Sequence, residues 1–352
     1  MVGHEAQRRQ IDAAIRHGRL PQLLLITGPE GVGKQRLGLW IAQRLMCEAK
    51  GAEPCDACRT CRLIAGLGHP DVHWLMPVLR PKATEPGKQV EELEEALGET
   101  LEGRRKNPLY GPPEGLAGHF VATARLLNRR AAMRPVEGSV QVFLIGYADR
   151  LVPQESSPEA ANALLKLLEE PPEGTYFILT AADAEGVLPT IRSRAVRIRV
   201  GHLAPEEVRS FFRSQQPELT AEELTGRVGR ASGAIGAALA DGTASARGTQ
   251  MAMTLLESAR AKSATGWVIA LKQMPFSARG DFTDTLDAMA EILVEATRKQ
   301  KSSPAPDRLS GLPRARLLAA LEKVGEAREL AQNNINPQVL LAVLNQELVE
   351  IL

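Results

Sequence analysis

The amino-acid sequence predicts an α/β fold, a parallel sheet that carries a phosphate-binding loop, followed by two all-helical parts. Three observations predict it. In Leu23 to Leu37, LLLITGPEGVGKQRL, a buried-strand pattern from Leu23 to Thr27 runs into the G-x-x-x-x-G-K spacing of Gly28, Gly33 and Lys34, then into a helix heading for Cys47. Short apolar strand runs then alternate with helical ones as far as Val200. Beyond Pro205 only helical periodicity remains. With 352 residues the chain exceeds one ordinary core, and the expected division is 1–200, 201–244 and 245–352. Composition narrows the function classes. A net charge of +1 gives no global field for nucleic acid, so any such contact needs a local patch or a partner. No run approaches the roughly 18 apolar residues of a membrane span, and the N-terminus lacks a signal peptide's apolar core, so the expectation is a cytoplasmic protein without membrane contact.

Residues 5 to 19 place Ile11, Ala14 and Ile15 at helical spacing, a short amphipathic helix ahead of the first strand. In the loop itself Gly28, Gly31 and Gly33 let backbone N–H groups curl round a phosphate, the helix N-terminus adds positive potential, and Lys34 can reach the outer phosphates. The next residue should be Ser or Thr, whose hydroxyl holds the nucleotide's Mg²⁺. It is Gln35, a longer amide and a poor substitute, so binding of ATP or ADP is doubtful. A glycine-rich turn without a ligand is the alternative.

All four cysteines follow within one short stretch, Cys47, Cys55, Cys58 and Cys61, spaced C-x7-C-x2-C-x2-C. This distribution suits a metal better than a disulfide scaffold, and four thiolates close a tetrahedron round a structural Zn²⁺ with no open position. Free thiols, or a zinc knuckle gripping nucleic acid, are the alternatives, the latter with only Lys50 and Arg59 as basic residues between the ligands. His69 and His73 read as loop and strand-edge residues rather than further ligands, beside a strand from Val72 to Met76. Residues 79 to 118, rich in proline and charge, read as an inserted, partly disordered surface excursion in which Val90, Leu93, Leu97 and Leu101 permit one solvated amphipathic helix.

A basic helix, Phe120 to Arg134, precedes the strand Val140 to Ile145. In a nucleotide hydrolase that strand ends in adjacent acids that handle Mg²⁺. Here the two positions are Gly146 and Tyr147, and Asp149 lies too far along unless the turn shifts. The helix Ala160 to Pro172, closed by a double proline, leads to strands Tyr176 to Ala181 and Val196 to Val200, with Arg197 and Arg199 suggesting a wet face on the last. Helices Glu206 to Ser214, Ala221 to Val228 and Gly233 to Ala240 suggest a small lid, and longer helices from Met251, broken near Gly280 and at residues 302–306, a bundle. The final helix, Gln338 to Leu352, carries a leucine stripe that calls for another surface.

Together the zinc cluster after a phosphate loop, the string Asn162-Ala163-Leu164-Leu165-Lys166-Leu167-Leu168-Glu169-Glu170-Pro171-Pro172, the Ser193-Arg194 pair and Asn334-Ile335-Asn336-Pro337 resemble the bacterial clamp-loader ATPase family of DNA polymerase III. The likeness covers nearly everything except about residues 79 to 118. It implies an AAA+ module, a helical lid and a C-terminal collar that assembles subunits into an open hetero-oligomeric ring. The implied partners are gamma/tau and delta subunits and, through the complex, the sliding clamp and primed DNA. Gamma/tau members keep Thr after the loop lysine and Asp-Glu after the next strand, so Gln35, Gly146 and Tyr147 are more similar to the non-hydrolysing delta-prime branch. The lid arginine of active members would fall, by approximate matching, at Ala237. The resemblance also implies that Arg194, in the Ser193-Arg194 pair, is an arginine finger reaching into a neighbour's ATP site, although Ala195 replaces the family's cysteine. The alternatives are an active gamma/tau-like ATPase using Asp149 and Glu30, and an independent zinc-dependent nucleic-acid binder.

Overall fold

A computed structural model describes the chain except for residues 50, 107–116, 152–158, 237–243, 274–280, 299–308, 310 and 332–335. It divides into two compact units, Met1–Leu239 and Ala240–Leu352. In the first, α1 (Glu5–Arg16) leads to β1 (Leu23–Thr27), α2 (Lys34–Met46), α3 (Arg59–Ala65), β2 (Val72–Leu75), α4 (Pro86–Lys106), α5 (Val121–Ala131) and β3 (Gln141–Ile145). There follow a 3₁₀ turn (Ala148–Arg150), α6 (Glu159–Glu169), β4 (Thr175–Ala181), α7 (Pro189–Arg192), β5 (Val196–Arg199), α8 (Pro205–Gln215) and α9 (Ala221–Ala231). The strands form one 5-stranded sheet in the order β2-β3-β4-β1-β5, every pair parallel.

Parallel strands covered on both faces must be apolar throughout, and β1 and β3 are buried at every position. Phe143 of β3 stacks on Phe177 of β4 with centroids 5.1 Å apart. β1 sits between β4 and the edge strand β5, with Leu25 opposite both Leu179 and Arg197. Because β1 lies inside the sheet, the loop after Thr27 emerges at its carboxyl end, where α/β sheets place ligands. The edge strand β5 is mostly exposed, which accommodates Arg197 and Arg199.

The insertion differs from the expected solvated excursion. Helix α4 buries Val90, Leu93 and Leu97, at 6%, 1% and 5% exposure, in the main core. Two of its polar residues bind α5 as well: Glu94 takes Arg129 and Arg130 at 2.6 and 2.8 Å, and Gln89 accepts from Arg125 at 2.9 Å. An apolar stripe with complementary basic groups on the facing helix outweighs the hydration of the acidic flank. Helices α8 and α9 enclose a small cluster of Leu203, Val208, Phe212, Leu224 and Ala231. The capping box of Thr220 and Glu223 starts α9, the Glu223 carboxylate accepting from the Thr220 N–H at 2.9 Å.

The second unit is helical: α10 (Ala244–Arg260), α11 (Thr265–Lys272), α12 (Asp281–Arg298), α13 (Arg314–Leu330) and α14 (Pro337–Ile351). The leucine stripe of α14 needs no external surface. Leu340, Leu341, Leu344, Leu348 and Leu352 all enter this unit's own core, while Val339 and Val343 are the exposed apolar residues of that helix. The breaks expected near Gly280 and at residues 302–306 lie outside the described residues. Among the described residues no helix is long and apolar enough to cross a membrane.

Candidate functional site

The phosphate loop bridges β1 and α2. Gly28, Gly31 and Gly33 all have positive φ, at 154°, 73° and 98°, so the chain curls between strand and helix. Lys34 Nζ folds back and donates to the Gly28 and Pro29 carbonyls, both at 2.7 Å. Burial lowers its pKa, opposed by the charges of Glu30 and Asp149. The Gly236 N–H, just beyond α9, donates to the Gly31 carbonyl at 2.9 Å, and His4 Nε2 donates to the Val32 carbonyl at 2.8 Å. The loop therefore has its lysine and four carbonyls, those of Gly28, Pro29, Gly31 and Val32, engaged within the chain.

Beside the loop, the positions that should handle magnesium hold other groups. Gln35 Oε1 accepts from Arg104 Nη1 at 2.8 Å, and the Arg104 guanidinium lies 4.6 Å over the Trp74 ring of β2. Gly146, at the end of β3, has the Gln35 amide against it: a Cβ there would stand 3.1 Å from Nε2. Tyr147 turns into the left-handed region at φ 55°, starting the 3₁₀ turn. That shift carries Asp149 towards Lys34, to which it is electrostatically coupled. Asp149 Oδ1 is buried without a hydrogen-bond partner, and burial raises its pKa. His119, fully buried, donates from Nε2 to the Gly146 carbonyl at 2.8 Å. Burial pushes its pKa down to about 4, so it is neutral at physiological pH.

Sequence reasoning missed Arg104 and His119. Arg104 had one legible signal. It continues the stripe Val90, Leu93, Leu97, Leu101 by three more residues, which put it on the helix face that turned out to be buried. His119 had none, since its partner is 27 residues away. The lid position Ala237 lies outside the described residues.

The four cysteines come together, with all their sulfurs within 4.8 Å of one another. Backbone N–H groups of Cys55, Cys58 and Cys61 donate to the sulfurs of Cys47, Cys55 and Cys58 at 3.4, 3.3 and 3.4 Å. The N–H groups of Cys58 and Ala57 lower the Cys55 pKa to about 6, whereas burial pushes Cys61 up. A set of four soft sulfurs, one already favouring the thiolate, fits a metal ion of the zinc class. His69 and His73 stay outside it. His69 Nδ1 accepts from the Asp71 N–H at 3.1 Å, and the His73 ring packs 4.8 Å from Phe143.

Arg194 sits on the turn between α7 and β5, with its side chain 43% exposed. Its Nη2 pairs with Glu169 Oε1 at the end of α6, 2.9 Å away, and Nη1 donates to the Thr190 carbonyl at 2.9 Å. Ser193 Oγ donates to the same carbonyl at 3.1 Å. These contacts hold Arg194 at the surface by two acceptors of its own chain.

Fold and site define a parallel-sheet phosphate-loop module whose metal-handling positions carry an amide, a glycine and a tyrosine, with a four-cysteine cluster in the same unit. The chain belongs to the family described as DNA polymerase III, delta subunit, whose match covers residues 3–204. It is 31% identical over 171 residues to the DNA polymerase III subunit delta' of Haemophilus influenzae, covering 49% of this chain and 40% of that one. It is 29% identical over 214 residues to subunit gamma/tau of Mycobacterium tuberculosis, covering 60% of this chain and 30% of the relative. The chain thus spans less than half the length of either relative. Among solved structures, a gamma subunit-related protein of Thermotoga maritima aligns over 97% of this chain and 99% of its own, at 15% identity and a TM-score of 0.41.

Proposed function

We propose that this chain is a non-hydrolysing clamp-loader subunit of the delta-prime type. It joins gamma/tau and delta subunits in a hetero-oligomeric ring that loads the sliding clamp onto primed DNA for DNA polymerase III, and it lends Arg194 to an adjacent ATPase. The observation that carries this is the pocket beside Lys34: an amide at 35, itself bonded to Arg104, and no carboxylate at 146 or 147. Identity alone does not separate the two subunit types, since the delta' and gamma/tau relatives match at 31% and 29%. Residue chemistry at the metal positions, Gln35, Gly146 and Tyr147, supports the delta-prime type. The exposed, lightly anchored Arg194 supports a role outside its own chain. Cys47, Cys55, Cys58 and Cys61 would hold one structural Zn²⁺, which supplies folding energy to the loop from Cys47 to Cys61 and no chemistry. We assign residues 1–200, 201–244 and 245–352 to the AAA+ module, lid and collar. Exposed Trp267, Val268 and Leu271 of α11, with Val339 and Val343 of α14, give the collar apolar surface for assembly.

A second function has one observation in its favour. The buried, unpartnered Asp149 Oδ1, coupled to Lys34, offers a displaced carboxylate to a gamma/tau-like ATPase. One experiment separates the two: the chain purified alone, supplied with Mg²⁺ and ATP, and co-purified with the other loader subunits. The delta-prime function expects co-purification without turnover by the isolated chain. Turnover abolished by Lys34→Ala would transfer the assignment to the active ATPase.

A further inference from the structure

Metal-dependent phosphate loops bring together a hydroxyl after the lysine and a carboxylate at the end of the neighbouring strand, both facing one divalent ion. In this chain the residue after the lysine, Gln35, is bonded instead to a cation from elsewhere in the fold. Arg104 comes from the last turn of α4, an element belonging to neither the loop nor β3, yet it is only 6% exposed. It is held on two sides, by the Gln35 amide oxygen at 2.8 Å and by the Trp74 ring at 4.6 Å. The helix that delivers it is fixed by Val90, Leu93 and Leu97 in the main core and by the Glu94 pairs with α5. A guanidinium so placed is a permanent structural cation.

The three residue choices depend on one another. A Thr at 35 would be too short to reach the guanidinium that Gln35 now holds. A Cβ at 146 would stand only 3.1 Å from the Gln35 amide nitrogen, so the Gln35 side chain would have to give by a few tenths of an ångström to admit one. With Gln35 and Gly146 in place, the guanidinium stacks on Trp74 as a weakly hydrated planar ion tolerates and a divalent metal, strongly hydrated, does not.

We propose that Arg104, seated between Gln35 and Trp74, occupies the magnesium position of the phosphate loop and so excludes magnesium-nucleotide from it. This deepens the non-hydrolysing function and rests on it. Metal handling is lost by occupation as well as by deletion, and the insertion that carries α4 is the element that closes the site. A like charge within a few ångströms in a partly buried pocket repels a second cation far more strongly than in water.

The test uses the full-length chain and a fluorescent ADP analogue, titrated in EDTA and in excess Mg²⁺. Wild type is expected to show the same affinity in both media within about twofold, or no binding in either. Gln35→Thr with Arg104→Met, which keeps the stem packing against Trp74, is expected to bind at least about tenfold tighter with Mg²⁺ than without, equivalent to about 1.4 kcal/mol. Wild type that gains tenfold from Mg²⁺, or a folded double variant indifferent to it, overturns the inference. Circular dichroism melting reports folding of the variant, and the wild-type arm overturns or supports the inference without it. Wild type that binds magnesium-nucleotide yet turns none over would remove the Arg104 inference and leave the proposed function standing. Turnover by the isolated wild-type chain would remove that function.

Discussion

Replacing Arg194 in the assembled loader probes the proposed function where it is most exposed to refutation. In the free chain the guanidinium is tethered by Glu169 and by the Thr190 carbonyl. The ion pair has side chains 43% and 39% exposed, so it is worth about 0.2 to 1 kcal/mol after solvent screening. Breaking this ion pair to turn Arg194 towards a neighbour's γ-phosphate therefore opposes its use by a factor of only about 1.5 to 5. A finger contributes roughly 10³ to 10⁵ in rate, about 4 to 7 kcal/mol, which exceeds the tether several times over. Arg194→Ala should accordingly remove the DNA-stimulated ATP turnover of the site that faces this chain. Arg194→Lys should rescue it poorly, because an ammonium lacks the planar fork. Glu169→Gln should leave turnover unchanged or raise it by up to about fivefold. None of these three changes should move the melting midpoint of the free chain by more than about 2 °C, since the pair is at the surface. The assay is phosphate release by the reconstituted loader with primed DNA and clamp. Turnover at the wild-type level with Arg194→Ala would refute the reasoning outright.

Three further outcomes are expected. The purified chain should carry one zinc per molecule by elemental analysis, and chelation or Cys58→Ser should release it and abolish protection from hydrogen exchange across residues 51–65, leaving the sheet protected. His119 is buried and neutral with its pKa lowered to about 4 against an unfolded value of 6.5, so it contributes stability that is fully present above pH 6.5 and is lost as pH falls towards 4. That loss is about 3 kcal/mol; His119→Gln should flatten the slope of denaturation midpoint against pH in this window, and an unchanged slope would contradict the assignment. In the second unit, Asn345 is 2% exposed and its amide nitrogen and oxygen have no hydrogen-bond partner among the described residues. Asn345→Leu should raise the stability of that unit by about 1 to 2 kcal/mol, read from its melting transition.

What the sequence disclosed and what it hid follow the range of the interactions. β1 and its loop were legible because a run of five buried residues followed by glycines at fixed spacing is a local pattern. The cysteine cluster was legible for the same reason. The turn after β3 was only half legible. Loss of the acids at Gly146 and Tyr147 could be read directly, whereas the left-handed Tyr147 that brings Asp149 towards Lys34 is a backbone choice with no residue signature. Arg104 was hidden because its partner Gln35 lies 69 residues away, and charge counting placed α4 in solvent. The α14 stripe misled in the opposite direction: a row of leucines looks unpartnered until the bundle that covers it is assembled.

The loop's glycines and its metal positions carry different information. Gly28 has φ 154°, and a Cβ there would stand 2.1 Å from the Val200 carbonyl oxygen at the exit of β5. Gly236 meets the loop from the other side, where a Cβ would lie 2.6 Å from the Gly31 Cα. Both glycines are therefore demanded by the packing of strand, loop and the segment just after α9, whether or not a nucleotide ever enters. Their presence reports the fold. Positions 35 and 146 are under no such demand from the backbone, so their chemistry reports the use to which the fold is put. The two kinds of position respond differently to substitution. Gly28→Ala should destabilise the first unit by more than about 2 kcal/mol, since backbone rather than a flexible side chain must move. Lys34→Ala, which removes only two bonds to loop carbonyls, should change stability by less than about 1 kcal/mol. A Gly28→Ala variant as stable as wild type would mean that the glycine is kept for a phosphate, and the pocket would then have to be regarded as one in use.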